Sequence, residues 1–172
     1  PIKWRLLNKD NNDFFLLSDI ALDDQRYNEK WATITWEKSS MRSWINGYKA
    51  SENQSEIDYS NKNFIDTAFS TAQKNAIKTT KVENRNNIHY GSAGQGGNDT
   101  SDKIFLLSER EVYNTDDAKK YGFVLDGEVY DEARRCKCST YAYAMGTWRN
   151  IEDSEYNGNA LWFLRSPGGS CY

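Results

Sequence analysis

The sequence predicts an α+β domain, and three kinds of observation support this fold class. Short apolar runs bounded by turn-forming residues predict strands. Serines followed three residues later by Glu or Gln predict short capped helices. Long polar stretches separate these elements, and this mixture of short strands, short helices and irregular chain is typical of an α+β arrangement.

The first element is a predicted β-hairpin. Residues 4–7 (Trp-Arg-Leu-Leu) and 14–17 (Phe-Phe-Leu-Leu) are apolar runs, and residues 8–13 between them are Asn, Lys and Asp. Turn formers between two apolar runs are the usual sequence signal of a hairpin.

A short helix is predicted next, with Ser39 or Ser40 as its N-terminal cap. Helical spacing then places Met41, Trp44 and Ile45 on one face, and Gly47 is a suitable terminating residue. We expect this helix to bury its Trp44 side.

Two capping boxes and one charge pattern predict further helices. Ser70 with Gln73 opens one helix, and Ser108 with Glu111 opens another. Acidic residues at the start of segment 115–122 and a glycine at its end bracket a third, since carboxylates favour helix N-termini.

Two long polar stretches, residues 46–63 and 82–102, are predicted to be loops. The second contains a glycine-rich run, 91–97, which lacks the Gly-Lys-Ser/Thr ending of a phosphate-binding loop and has no strand leading into it. We therefore interpret it as a flexible surface loop.

Residues 160–164 (Ala-Leu-Trp-Phe-Leu) have the length and aromatic content of a buried strand. Arg165 follows at the edge of this run, directly before Ser-Pro-Gly. Its guanidinium has five donors, and we interpret it as a structural clamp on loop carbonyls or a carboxylate, in preference to a ligand contact.

Length and charge limit the function classes. The 172 residues suit a single domain, 1–172, and because the chain starts and stops close to apolar runs we expect truncation at both ends. The formal charge of −3 comes without a basic stripe, so nucleic acid is an unexpected partner. The longest apolar runs are too short for membrane insertion.

We expect no catalytic residue, cofactor or metal site. Cys136 and Cys138 are too close in sequence for the usual disulfide geometry, and Cys171 can pair with either. His89 is the single histidine. Paired acids such as Asp23-Asp24, Asp116-Asp117 and Glu152-Asp153 lie in polar contexts typical of caps and solvated faces. Calcium is the one exception considered, with Asn98-Asp99 or Asp153 as ligands.

Six segments together resemble an uncharacterised bacterial domain family, found chiefly in secreted and surface proteins of Firmicutes. The family's marker is a Trp-Trp-Leu-Arg-Ser-Pro-Gly run, which has Phe163 at the second position here. The matching segments are residues 2–7, 15–18, 35–46, 67–70, 103–108 and 162–168. The resemblance implies a C-type-lectin-like fold, with small twisted antiparallel sheets, short helices and long loops.

The resemblance implies two alternative functions. The first is a non-catalytic module of a secreted or cell-surface protein that recognises a glycan or a protein. The second is an oxidase similar to formylglycine-generating enzymes, in which Cys171 and either Cys136 or Cys138 would bind copper. We favour the binding module, because the cysteines are not in the setting expected of such an enzyme.

The predicted ligand-binding residues lie just before the 160–164 run, in a polar segment with interspersed rings. In a lectin-like frame this segment faces the ligand, and rings beside amides suit sugars or protein partners. An alternative for the first two residues is that they pack a helix against the sheet. The candidates are Tyr141, Tyr143, Trp148, Tyr156, Asn157 and Asn159.

The predicted core follows from the inward phases of these elements. It comprises Trp4, Leu6, Phe15, Leu17, Trp36, Trp44, Phe69, Ile77, Ile104, Leu106, Leu161, Phe163 and Leu164.

Overall fold

A computed structural model describes residues 1–87, 90, 94–113, 120–123, 131–152 and 154–168. The predicted α+β class is confirmed. In chain order the strands are β1 (Trp4–Asp10), β2 (Asp13–Ser18), β3 (Ile20–Ala21), β4 (Thr80–Val82), β5 (Thr100–Asp102) and β6 (Lys137–Cys138), and the helices are α1 (Ser40–Asn46), α2 (Phe64–Ala68), α3 (Thr71–Ala76), α4 (Glu109–Val112) and α5 (Thr140–Met145). Short 3-10 turns lie at Trp36–Lys38, Ala50–Glu52 and Glu132–Arg134.

The chain forms two compact units. Unit 1 comprises Pro1–Gln25 and Glu109–Phe163, and unit 2 comprises Arg26–Ser108 and Leu164–Tyr172. Unit 1 contains the antiparallel pair β1–β2 and the parallel pair β3–β6, and unit 2 contains the antiparallel pair β4–β5.

The predicted hairpin is present as β1–β2, with a turn that is tighter than residues 8–13. Only Asn11 and Asn12 lie between the strands, and Asn11 has a φ of 53°. Asparagine tolerates this left-handed conformation better than most residues, so the local sequence suits a two-residue turn.

The predicted inward phase of β1 is wrong. The pairing register shifts between Leu6 and Asn8, so Leu7 is the extra residue of a β-bulge. Leu7 is buried, whereas Trp4 and Leu6 are exposed. A bulge redirects the side chains on either side of it, and simple alternation cannot anticipate that change.

The predicted α1 is confirmed in unit 2. Ser39 accepts a hydrogen bond from the Arg42 N–H at its N-terminus, and Gly47 ends the helix with a φ of 73°. Met41 and Ile45 pack against the fully buried Trp36, and Trp44 is partly buried beside this cluster. The helix therefore positions the core of unit 2.

The Ser70 capping box is confirmed in both directions, and it starts α3. The helix predicted after Ser108 is present as α4. Most of the helix predicted over 115–122 lies outside the described residues. Gly122, its predicted end, has a φ of 85°.

The glycine-rich run is partly packed, which differs from the predicted flexible surface loop. Gly94 and Gly96 are buried, and the Gly94 carbonyl accepts a 2.8 Å hydrogen bond from the Asn87 N–H. A Cβ on Gly96 would lie 2.0 Å from the Asn84 carbonyl oxygen. Glycine is therefore required there for close backbone approach. Residues 91–93 lie outside the described part.

The predicted buried strand at 160–164 is wrong. Ala160 makes an isolated bridge to Arg149, and the residues after it are not in a strand. Leu161 is 73% exposed and Phe163 is 52% exposed, while Trp162 is partly buried with its indole N–H bonded to the Arg134 carbonyl. Only one of the two faces of this run is shielded from solvent, whereas the predicted buried strand would have both faces shielded.

No helix among the described residues is long and apolar enough to cross a membrane.

Candidate functional site

The predicted ligand-binding residues all lie in unit 1, either within α5 or between α5 and Ala160. The start of α5 is fixed by Ser139, whose hydroxyl accepts a 2.9 Å hydrogen bond from the Ala142 N–H. Gly146 ends the helix with a φ of 122°. Both ends of the helix are therefore defined, and this fixes the backbone that carries its exposed side chains.

The alternative that Tyr141 and Tyr143 pack α5 against a sheet is wrong. Tyr141 is 58% exposed and Tyr143 is 47% exposed, whereas Ala142 between them is fully buried. Trp148, just after the helix, is also 58% exposed. Three large rings therefore remain accessible on this part of unit 1.

The segment after Trp148 forms a loop whose two ends are hydrogen-bonded to each other, and we call this loop the excursion. Arg149 bridges Ala160, and the Asn150 N–H donates a 2.8 Å hydrogen bond to the Asn159 carbonyl. The Gly158 N–H in turn donates to the Asn150 carbonyl at 2.7 Å. These bonds join the two ends of the excursion.

Asn157 and Asn159 have different surroundings. Asn157 is exposed near the end of the excursion, and its carbonyl accepts a hydrogen bond from the Lys137 ammonium. Asn159 is partly buried, and its backbone takes part in the closing bonds. The Asn157 amide is therefore the better placed of the two to meet a ligand.

Tyr156 is less accessible than the sequence suggests. The Arg135 guanidinium lies 4.6 Å from its ring centroid, so one face of the ring is covered. Arg135 is itself 3.2 Å from the Glu155 carboxylate and 3.7 Å from that of Glu132. This arginine is therefore electrostatically compensated.

Arg149 is a candidate that the sequence reasoning missed. Its guanidinium carbon lies 3.6 Å from the Tyr143 ring centroid. A stacked guanidinium keeps donors at its edge, and a cation over a ring face is an attractive arrangement. The available signal was a basic residue directly after Trp148 in a segment rich in rings.

Arg165 lies in unit 2 and contacts loop carbonyls. Its guanidinium donates to the Leu106 carbonyl at 2.7 Å and to the Glu83 carbonyl at 3.2 Å. Its own carbonyl accepts a 3.0 Å hydrogen bond from the Tyr27 hydroxyl. These are the contacts that a clamp requires, and the role stays a prediction that stability measurements test.

Unit 2 also holds a buried charged cluster that the sequence reasoning missed, centred on Asp102. This carboxylate is fully buried and accepts four hydrogen bonds. The donors are Trp36 Nε1 at 3.0 Å, Arg42 Nε at 2.9 Å, the Tyr48 hydroxyl at 3.0 Å and the Thr100 hydroxyl at 2.7 Å. We call these five residues the Asp102 cluster.

The acceptor positions of the Asp102 carboxylate are all occupied by donors of the cluster. Each carboxylate oxygen receives two donors, which accounts for the usual acceptor capacity of an ionised Asp. Burial, followed by the nearby Asp102 charge, raises the pKa of Tyr48 to about 12. The Tyr48 hydroxyl therefore stays protonated and donates at neutral pH. This arrangement suits a structural role.

The calcium candidates that are described are already engaged. The Asp99 carboxylate accepts from the Asn84 N–H and lies 3.0 Å from the Lys81 ammonium, and these contacts lower the pKa of Asp99. The Asn98 amide donates to the Glu37 carboxylate at 3.1 Å. Asp153 lies outside the described residues, and the rest contain no cluster of three potential metal-binding side chains.

The cysteines offer little support for a copper site. Cys136 and Cys138 are both free thiols and are partly buried. Burial raises the pKa of the Cys136 thiol. Cys171 lies outside the described residues.

Comparison with protein families gives a match to a domain of unknown function, DUF6273, over residues 11–172. The chain belongs to the DUF6273 family. Comparison with curated proteins and with solved structures returns no match. For this DUF6273 domain, a function must therefore be argued from its own residues.

Proposed function

We propose that this DUF6273 domain is a non-catalytic recognition module that binds a glycan or a protein through the exposed rings of unit 1. We call this site the ring surface, and it consists of Tyr141, Tyr143, Trp148, Tyr156 and Asn157. The observation that carries the proposal is the exposure of Tyr141 in the capped helix α5 and of Trp148 directly before the hydrogen-bonded excursion.

The physical argument concerns rings that folding has not buried. Tyrosine and tryptophan provide large contact areas with few rotatable bonds, so little conformational entropy is lost when they bind. Exposed rings near amide groups match both the apolar faces and the hydroxyls of sugars, or a protein hot spot. The Asn157 amide supplies such a group in the excursion that follows Trp148.

The proposal includes a C-type-lectin-like fold and a location outside the cell or on its surface. Small two-stranded sheets, short helices and long irregular segments are consistent with that fold. The location is inferred from the family resemblance of the sequence alone. The enzyme alternative is less favoured, because the sequence does not place the cysteines in the setting expected of such an enzyme.

The test is a glycan array together with a screen for surface proteins, using the parent, Trp148→Ala and Tyr156→Ala. Trp148→Ala should weaken binding by about tenfold or more, as expected of an aromatic hot spot. Tyr156→Ala should have a smaller effect, because Arg135 covers one face of its ring.

Trp31→Ala is the matched control, because Trp31 is an 80% exposed tryptophan in unit 2. Its removal should leave binding unchanged. Binding that survives both Trp148→Ala and Tyr156→Ala would rule out this site. Oxidation of a cysteine-containing peptide by the parent would favour the enzyme alternative instead.

A further inference from the structure

Two arginines of unit 1 stack on tyrosine rings, and they differ in their ion pairs with carboxylates. Arg135 lies over Tyr156 and is paired with carboxylates of Glu155 and Glu132. Arg149 lies over Tyr143 at the shorter distance of 3.6 Å. Within the described part of the chain, no Asp or Glu forms an ion pair with Arg149.

A guanidinium that stacks on a ring and has no carboxylate partner among the described residues is a ready receptor for a carboxylate. The ring holds the guanidinium plane and removes water from one of its faces, while the edge donors stay available. Guanidinium and carboxylate form paired, charge-assisted hydrogen bonds that are stronger than neutral ones. Arg149 is partly buried, so an ion pair there is screened less than one in open solvent.

We propose that the ring surface binds a glycan that carries an isolated carboxylate, and that Arg149 on Tyr143 receives this group. The inference rests on the proposed function, since it specifies the ligand of the same site. A carboxylated sugar presents an anion together with hydroxyls and an apolar ring face. These features match Arg149, the Asn157 amide and the Trp148 ring respectively.

The surrounding charges favour a single carboxylate over a densely acidic peptide. Glu152 is exposed in the excursion that follows Arg149, whereas the exposed Glu155 is paired with Arg135. The formal charge of the whole chain is −3. Repulsion from Glu152 and from the net negative charge of the chain opposes a polyanion, whereas one carboxylate can be satisfied by one guanidinium.

The experiment measures the affinity of four proteins for four probes at low and high salt. The proteins are the parent, Arg149→Gln, Arg149→Lys and Arg135→Gln. Sialyllactose and a glucuronic acid-terminated oligosaccharide carry the carboxylate in two kinds of sugar, lactose is the neutral probe, and a short oligoglutamate is the peptide probe.

The parent should bind at least one acidic sugar more tightly than lactose, and high salt should reduce that preference. Arg149→Gln should lose about tenfold or more of the affinity for that sugar, and Arg149→Lys should recover part of it, because lysine keeps the charge but loses the planar fork. Arg135→Gln is the matched control, with an expected change of about twofold or less, because its charge is already paired.

Several results would overturn the inference. These are equal binding of acidic and neutral sugars, an Arg149→Gln protein that is folded by thermal unfolding yet binds like the parent, or tighter binding of oligoglutamate than of either acidic sugar. Absence of binding to every sugar probe would also overturn it. In that case Trp148-dependent binding on the wider array or protein screen would leave the proposed function standing.

Discussion

Asp102 in unit 2 and Arg149 in unit 1 are both charged groups in contact with aromatic side chains, but their environments are opposite. Asp102 is fully buried and its two oxygens accept four hydrogen bonds from its own unit. Arg149 is partly exposed and stacks on Tyr143 without a carboxylate partner among the described residues.

The difference separates a charge that holds the fold from a charge that is available to a ligand. A buried ion is tolerated only when hydrogen bonds replace its lost hydration, and the Asp102 cluster meets that condition internally. No described residue of unit 1 provides such compensation for the charge of Arg149. We therefore expect variants of the two sites to affect different measurements.

The largest effect should come from Asp102→Asn. It leaves the Arg42 guanidinium buried without its counter-ion and turns one acceptor into a donor, so we expect a loss of about 3–5 kcal/mol in the free energy of unfolding. Urea titration measures this. Glu56→Gln, at the exposed pair with Lys30, is the control and should leave stability unchanged. An unaltered urea midpoint for Asp102→Asn would contradict the claim that the Asp102 charge holds the fold.

Arg165→Ala should cost about 2–3 kcal/mol in unfolding free energy, because charged donors to two carbonyls are lost. Arg165→Lys should recover only part of this free energy, since one ammonium does not reproduce the planar guanidinium that donates to both the Leu106 and the Glu83 carbonyls. Thermal unfolding of both variants tests the clamp. Loss of binding with unchanged stability would instead assign Arg165 to a ligand site.

Gly47→Ala should cost about 1–2 kcal/mol, since its φ of 73° disfavours any side chain. A Cβ there would also lie 2.9 Å from Asn63 Nδ2. Gly122→Ala is the matched comparison, because Gly122 has a φ of 85° and no described residue lies within 4 Å of the added carbon. Equal losses in chemical denaturation would show that the Asn63 contact contributes nothing.

The smallest effect on stability should come from Trp148→Ala, with a change of about 0.5 kcal/mol or less, because an exposed side chain contributes little to folding. The same variant should show the largest loss of binding. Differential scanning calorimetry gives the first quantity and the array gives the second. A strongly destabilised Trp148→Ala protein would assign Trp148 to the core and remove the contrast between the two sites.

The features that could be predicted from sequence depend on near neighbours. The caps at Ser39 and Ser70 act over three residues, so their helices were predicted correctly. The β1–β2 hairpin is equally local, but the bulge at Leu7 reversed the phase expected for Leu6.

The Asp102 cluster shows why other features were missed. Trp36 and Tyr48 are 66 and 54 residues from Asp102 in the chain. A single carboxylate gives no local sign of such distant donors. The exposure of Leu161 and Phe163 was missed for a similar reason, since strand-like composition does not reveal how many faces the fold covers.

The parallel pair β3–β6 has a consequence for synthesis on the ribosome. Ser139, just after β6, donates its hydroxyl hydrogen to the Leu22 carbonyl, 117 residues earlier. β3 must therefore wait for β6 to emerge, whereas every member of the Asp102 cluster has been made by residue 102. Limited proteolysis of stalled nascent chains should show residues 36–102 protected before β3.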